Sequence, residues 1–149
     1  MKVVYIAETS LTNKSAYTQH VIKMCDAFAQ LNHDLILYLP KIHKNFDFED
    51  IMDKFLLLSN NRFRLRSLIN LKLTNIFYKF FFAIFVVINI KKDKPDLILT
   101  RSFLSSIFLS FFRIKHYLEI HSEFQFLIKF LMINLNFVRS NYIIKKILI

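Results

Sequence analysis

Apolar positions along the chain fall into two alternating patterns. Residues 1–7 (MKVVYIA) are a β-branched run without helical period, which predicts a buried strand. From Ser15 onwards, apolar and small side chains recur at spacings of three and four, which predicts a helix ending at Asn32-His33. A second apolar run, residues 34–39 (DLILYL), stops at Pro40. This order predicts a parallel βαβ unit.

The same alternation continues to the end of the chain. It predicts helices at residues 67–90, 103–112 and 124–137, and strands at 97–99, 115–120 and from 142. Residues 51–58 fit a helix or a strand, and residues 60–66 (NNRFRLR) form a basic segment. No internal repeat or linker interrupts the pattern. The sequence therefore predicts one α/β domain, residues 1–149: a Rossmann-like, doubly wound, mostly parallel sheet with helices on both faces.

Polar triplets follow three of the predicted strands. They are Glu8-Thr9-Ser10, Thr100-Arg101-Ser102 and His121-Ser122-Glu123, whereas the second strand ends in Leu39-Pro40. In open parallel sheets, ligands bind beyond the carboxyl ends of the strands. Glutamate, arginine, histidine and serine side chains at one sheet edge therefore predict a cleft for a polar ligand.

Each candidate side chain in these triplets has two interpretations. His121 titrates near neutrality and suits proton transfer or a hydrogen bond to a sugar or phosphate, but it also fits a solvated or helix-capping loop residue. Arg101 suits an anionic ligand, or an ordinary ion pair with Glu123 or Asp96. Glu8 and Glu123 equally fit surface charges.

The start of the first predicted helix is a further candidate. Lys14 and Ser15 stand where the helix dipole favours a phosphate. No GxGxxG, GxSxG or P-loop occurs, so a nicotinamide or flavin cofactor is disfavoured and none is predicted. The histidines show no metal spacing, so no metal is predicted.

The composition of the chain limits the classes of binding partner that it fits. The net charge of +10 suits nucleic acid, an anionic membrane surface or anionic small substrates. No run of five Lys/Arg residues and no nucleic-acid motif occurs, which disfavours nucleic acid. Residues 76–90 are apolar but short of the roughly 20 needed to span a bilayer, so a buried or interfacial helix is predicted. The single Cys25 fits a reducing cytoplasm, and the N-terminus does not resemble a signal peptide.

Glycine is absent from the whole chain. Every tight turn must therefore use other residues, and we expect Asn, Asp, Ser and Lys to take the left-handed positions at some strain.

The motif order resembles the N-terminal domain of family 4 glycosyltransferases of the GT-B fold. The helix-ending LNHDL, then KPDLILTRS, then LEIHSE match that family's motifs in order and spacing over nearly the whole chain. The resemblance implies one half of a GT-B fold, on the acceptor side of a cleft. It also implies metal-free transfer from a nucleotide-sugar to a glycan or lipid-linked acceptor, in cell-surface polysaccharide synthesis.

Residue roles follow from the same resemblance. It implies that His121 lies in the active-site cleft, that Arg101, Ser102 and Glu123 line the acceptor side, and that Glu8, Lys14 and Ser15 lie near the donor. The family's Gly-Gly pair is replaced by Lys14-Ser15, which weakens close contact with a donor phosphate. The C-terminal donor domain with its Glu-x7-Glu signature is also missing. We therefore expect a truncated or split enzyme that does not transfer sugar alone and has poor solubility.

Two other hypotheses stay open. One is a non-catalytic remnant or membrane-surface binding protein at the inner face of the cytoplasmic membrane, since the basic charge and the apolar helix suit an anionic surface. The other is a flavodoxin-like or other nucleotide-binding module.

Overall fold

The fold is a six-stranded parallel sheet with helices on both faces. The computed structural model describes residues 1–11, 15–41, 55, 63–67, 75–120 and 142–145. The elements are β1 (Lys2–Ile6), α1 (Ala16–Gln30), β2 (Asp34–Leu39), β3 (Arg64–Ser67), α2 (Asn75–Asp93), β4 (Leu97–Thr100), α3 (Phe103–Phe111), β5 (Tyr117–Ile120) and β6 (Tyr142–Lys145). The strand order is β3-β2-β1-β4-β5-β6, with parallel pairing throughout. This is the doubly wound order, so the predicted fold class is confirmed.

Alternation along the central strand builds a separate core on each face of the sheet. Val3 and Tyr5 of β1 pack with Val21, Ile22 and Cys25 of α1 on one face. Val4 and Ile6 pack on the other face with residues of α2 and α3, namely Phe82, Val86, Val87, Ile90 and Leu109. Because both faces of β1 are buried, its sequence is apolar throughout, as expected for a central parallel strand.

Left-handed residues end the helices in place of glycine. Asn32 (φ 57°), Lys94 (φ 45°) and Arg113 (φ 56°) each follow one of the helices whose bounds are given above. The use of Asn and Lys confirms the expectation from the glycine-free sequence; Arg113 was not anticipated. At the other end of α1, Ser15 caps the helix by accepting a hydrogen bond from the Thr18 amide at 3.2 Å.

Two segments differ from the prediction. The helix expected from residue 67 begins at Asn75, and Ser67 instead belongs to β3, paired with Leu39. The basic segment was not recognised as a strand because Arg64 and Arg66 occupy alternate positions of β3, which lies at the sheet edge. The predicted helix at 124–137 lies outside the described residues, as do residues 51–58 apart from Phe55, which is buried in the α1-side core.

A buried polar cluster fixes α2 against the sheet. The Asp93 carboxylate accepts hydrogen bonds from the Tyr38 hydroxyl and from Arg66 Nη1, and lies 3.7 Å from Lys2 Nζ. Burial alone raises the pKa of Asp93, but the Tyr38 hydrogen bond and the charges of Arg66 and Lys2 outweigh it and lower that pKa below its usual value. The end of α2 is therefore tied to three strands.

A second buried pair joins α3 to the residue that precedes β5. Ser106 Oγ lies 2.6 Å from His116 Nε2, and His116 Nδ1 lies 2.9 Å from the Ile114 carbonyl oxygen. The imidazole Nδ1–H donates to that carbonyl, so Nε2 is the acceptor for the Ser106 hydroxyl. Both side chains are about 1% exposed, which places this serine–histidine pair in the core rather than in a cleft.

Candidate functional site

The polar strand ends are brought together by the register of the sheet. Ile6 pairs with Thr100, and Thr100 pairs with Leu118. The Arg101 amide donates to the Ile6 carbonyl at 2.9 Å, so the ladder continues one residue past β4. Glu8, Arg101 and Glu119 therefore stand at the carboxyl edge of three neighbouring strands, where strand order reverses between β1 and β4.

Glu8 is the centre of the first cluster at this edge. Its Oε1 accepts a hydrogen bond from Ser102 Oγ at 2.5 Å, and its Oε2 lies 3.2 Å from Lys79 Nζ. Ser102 is 1% exposed and caps α3 by accepting from the Ser105 amide at 3.1 Å. The capping serine thus holds the carboxylate of Glu8 in one orientation beside the start of α3.

Lys79 reaches this edge from α2. It lies three and seven residues before Phe82 and Val86, so it is on the same face of the helix, and its Nζ contacts Glu8. The neighbouring Tyr78 hydroxyl donates to the Pro40 carbonyl at 2.5 Å and fixes α2 against the end of β2.

These side chains enclose a cleft of about 400 Å³. Its lining residues are Glu8, Thr9, Ser10, Pro40, Lys41, Tyr78 and Lys79. Two amines, one oriented carboxylate and three hydroxyls suit a ligand that combines hydroxyl groups with an anionic group.

A second cluster lies on the α1 side of the same edge. Glu119 Oε2 accepts from the Tyr5 hydroxyl at 2.8 Å and lies 3.6 Å from Arg101 Nε, while Oε1 lies 3.1 Å from His20 Nε2. The Arg101 guanidinium also stacks on Tyr17, 4.4 Å from the ring centroid. Burial and the Glu119 charge raise the pKa of Tyr5, so its hydroxyl remains a donor to the carboxylate.

Arg101 is unusual for a buried cation. Its side chain is 4% exposed, and its Nε and Nη1 atoms have no hydrogen-bond partner among the described residues. Buried guanidinium groups normally have their donors satisfied, so this one has unused capacity for an acceptor. Burial raises the pKa of the Tyr17 phenol above its usual value, although the charge of Arg101, which lies over its ring, opposes this.

Some of the predicted site residues lie at this edge of the sheet, one caps a helix, and the others lie outside the described residues. Glu8 and Ser102 are brought into direct contact, and Arg101 lies in the second cluster against Glu119 rather than Asp96. Ser15 is engaged as a helix cap, 2.9 Å from the Thr18 hydroxyl. The predicted His121, Glu123 and Lys14 lie outside the described residues.

Sequence analysis missed Lys79 and Glu119. Both are charged residues within apolar runs, in IFYKFFF and YLEI. A charge inside such a run needs a partner, which is the signal that identifies them. Within the described ranges, no group of three or more His, Cys, Asp or Glu side chains is placed to hold a metal ion.

No protein-family model matches the chain, and no curated protein matches it. Among solved structures, the chain is similar to a glycosyltransferase from Rickettsia africae ESF-5, with a TM-score of 0.51 and 14% sequence identity. The match covers 97% of this chain and 43% of that one, so the chain spans less than half of the length of that protein. At this identity the likeness shows the fold, and membership of family 4 stays a prediction.

Proposed function

We propose that the chain is the acceptor-side half of a glycosyltransferase that acts on a glycan or lipid-linked acceptor. The observation that carries this proposal is the contact of Glu8 with Ser102 and Lys79, which lies at the switch point between β1 and β4. Similarity of the fold to part of a glycosyltransferase supports this proposal.

The cleft chemistry fits an acceptor that carries hydroxyls and phosphate. The Thr9 and Ser10 hydroxyls line the cleft, that of Thr9 held 2.5 Å from the Thr18 hydroxyl, and Lys41 and Lys79 offer ammonium groups to a phosphate. The Glu8 carboxylate accepts from a sugar hydroxyl while Ser102 keeps it in place. We propose that such an acceptor takes part in polysaccharide synthesis at the inner face of the cytoplasmic membrane.

In the proposed reaction, the acceptor hydroxyl oxygen bonds to the anomeric carbon of the donor sugar. The bond from that carbon to the nucleotide phosphate breaks, the phosphate leaves with the electron pair, and the hydroxyl proton passes to a base. We assign the nucleotide to a separate donor domain and a hydrogen-bonding role near the transferred sugar to His121, which directly follows β5. In this proposal the chain alone does not transfer sugar.

The test uses saturation-transfer NMR with the full chain, glucose 1-phosphate as the acceptor probe and UDP-glucose as the donor probe. We expect saturable transfer to glucose 1-phosphate from the wild type, and a loss of at least about tenfold in affinity for Lys79→Gln, which removes a charged contact. Lys23→Gln, on the exposed side of α1, is the matched control and leaves binding unchanged.

Two results contradict the proposal. One is tight binding of UDP-glucose that Lys79→Gln does not change, which identifies a nucleotide-binding module. The other is the absence of saturable binding of either probe, which identifies a chain without sugar-binding function.

A further inference from the structure

Helix α2 is apolar on the face that points away from the sheet as well as on the face that packs on it. Phe77, Phe81, Ile84 and Ile88, here called the outer stripe, lie within about 60° of the helix circumference, because successive residues are about 100° apart. Phe77 is 59% exposed, Phe81 42% and Ile88 61%. Surface helices normally carry polar residues on this side, so the stripe indicates a partner.

The outer stripe continues onto the end of α3. Lys91 Nζ lies 4.4 Å from the ring centroid of Phe112, which joins the two helices at the surface. Phe112 is 44% exposed and the adjacent Phe111 is 80% exposed. With about 150–250 Å² for each aromatic side chain, the exposed apolar area is on the order of 500 Å², as large as the largest patches on ordinary monomers.

Basic residues surround the aromatic end of this surface. The exposed cations are Lys91, Lys92, Lys94, Arg113 and Lys115, here called the basic end. The neighbouring acidic side chains already have other partners. Asp93 pairs with Arg66 and Lys2, and Asp96 accepts a hydrogen bond from the Lys2 amide at 2.7 Å. Lysines at the end of α2 also interact favourably with the negative end of the helix dipole, but this interaction does not explain the exposed phenylalanines. A second copy would bring the same positive charges, so an anionic partner is favoured.

We propose that the outer stripe and the basic end attach this chain to the surface of an anionic lipid bilayer, with α2 lying parallel to the membrane plane. The phenylalanine and isoleucine side chains enter the boundary between headgroups and acyl chains, and the cations contact lipid phosphates. In the described part of the chain, no helix is long and apolar enough to cross a bilayer, which leaves an interfacial position for α2. This inference does not rest on the proposed function.

The test is co-sedimentation of the full chain with vesicles of phosphatidylcholine, alone or with an equal part of phosphatidylglycerol. We expect binding to the anionic vesicles that weakens as salt is raised. The double change Phe77→Ser and Phe81→Ser lowers the partition coefficient at least about tenfold on both vesicle types. The double change Lys91→Gln and Lys92→Gln weakens binding only to the anionic vesicles, and it reduces the salt dependence of that binding. Leu31→Ser is the control, because Leu31 is 67% exposed at the end of α1 on the opposite face.

Fluorescence gives an independent measurement, since the chain contains no tryptophan. Ile88→Trp places a reporter in the outer stripe, and we expect its emission to shift to shorter wavelength with anionic vesicles, while Leu31→Trp does not respond. The proposal is overturned if the wild type stays in the supernatant at low salt, or if both tryptophan variants respond equally. It is also overturned if the wild type self-associates without lipid, the Phe77/Phe81 variant is monomeric and neither binds vesicles, because a second copy then covers the stripe.

Discussion

Replacing Ser106 by alanine tests whether the buried serine–histidine pair is a structural contact. In the wild type, the Ser106 hydroxyl donates to His116 Nε2 at 2.6 Å. The alanine variant leaves that nitrogen without a donor in a site that is 1% exposed. An unsatisfied buried acceptor costs about 1–3 kcal/mol of unfolding free energy. For a chain of this length, that lowers Tm by roughly 2 to 12 °C.

The effect of pH on this variant has a definite sign. Burial lowers the pKa of His116 despite the opposing hydrogen bond to Ile114, so the unfolded chain takes up a proton first as pH falls below about 6.5. The wild type therefore loses stability below that pH, until the folded state is protonated too. The Ser106 hydrogen bond favours the neutral imidazole, so its removal raises the folded pKa. The stability difference between variant and wild type should narrow below pH 6.5.

Urea unfolding followed by circular dichroism at several pH values measures both effects. His33→Gln is a control for a partly exposed histidine. The double change Ser106→Ala and His116→Leu should cost less than the sum of the single changes, because no unsatisfied imidazole nitrogen remains. A loss below about 0.5 kcal/mol for Ser106→Ala, or strictly additive losses, refutes the assigned hydrogen bond.

Three further predictions concern other buried groups. Asp93→Asn should lower the unfolding free energy by about 1.5–3 kcal/mol in urea, whereas Asp34→Asn, in a half-exposed pair, should cost below about 1 kcal/mol. Because the pKa of Asp93 is lowered, its contribution is present above about pH 3.9 and is lost on acidification; an unchanged acid transition in Asp93→Asn contradicts this. Burial raises the pKa of the Cys25 thiol, so at pH 8 native protein should react with dithiodipyridine at least about a thousandfold more slowly than unfolded protein, and comparable rates exclude a buried thiol. Arg101→Met breaks the buried pair with Glu119 and should lower the unfolding free energy by about 3–5 kcal/mol, so ligand binding is measured at a temperature where the variant is folded. Loss of glucose 1-phosphate binding by the folded variant then assigns the unused Nε and Nη1 donors to a ligand, and retained binding assigns Arg101 a structural role.

The sheet could be predicted because its central strands β1 and β2 are buried on both faces. A continuous apolar run such as residues 34–39 is stable in a small domain only as a strand that is buried on both faces. Helical segments between such runs predict crossover connections, which join parallel strands. β3 was missed because an edge strand needs no apolar run. Its Arg66 is satisfied by Asp93 at the end of α2, a partner 27 residues away that only the folded chain brings near.

The candidate site was predicted only in part, for a similar reason. Position after a strand identified Glu8 and Ser102, since the end of each parallel strand meets the same edge. Lys79 reaches this edge from α2, and Glu119 is the next-to-last residue of β5. Neither residue follows a strand in the sequence. Local patterns carry no information on such long-range geometry.

The central place of β1 has a consequence for synthesis on the ribosome. The strand pairs early with β2, through Lys2–Asp34 to Ile6–Tyr38, but its other edge pairs with Leu97–Thr100. Until residues 97–100 have left the exit tunnel, Val3, Val4, Tyr5 and Ile6 keep one edge of their strand unpaired. A strand that is buried on both faces of the finished protein is thus exposed for much of synthesis, and we expect it to be a binding site for a chaperone in the nascent chain.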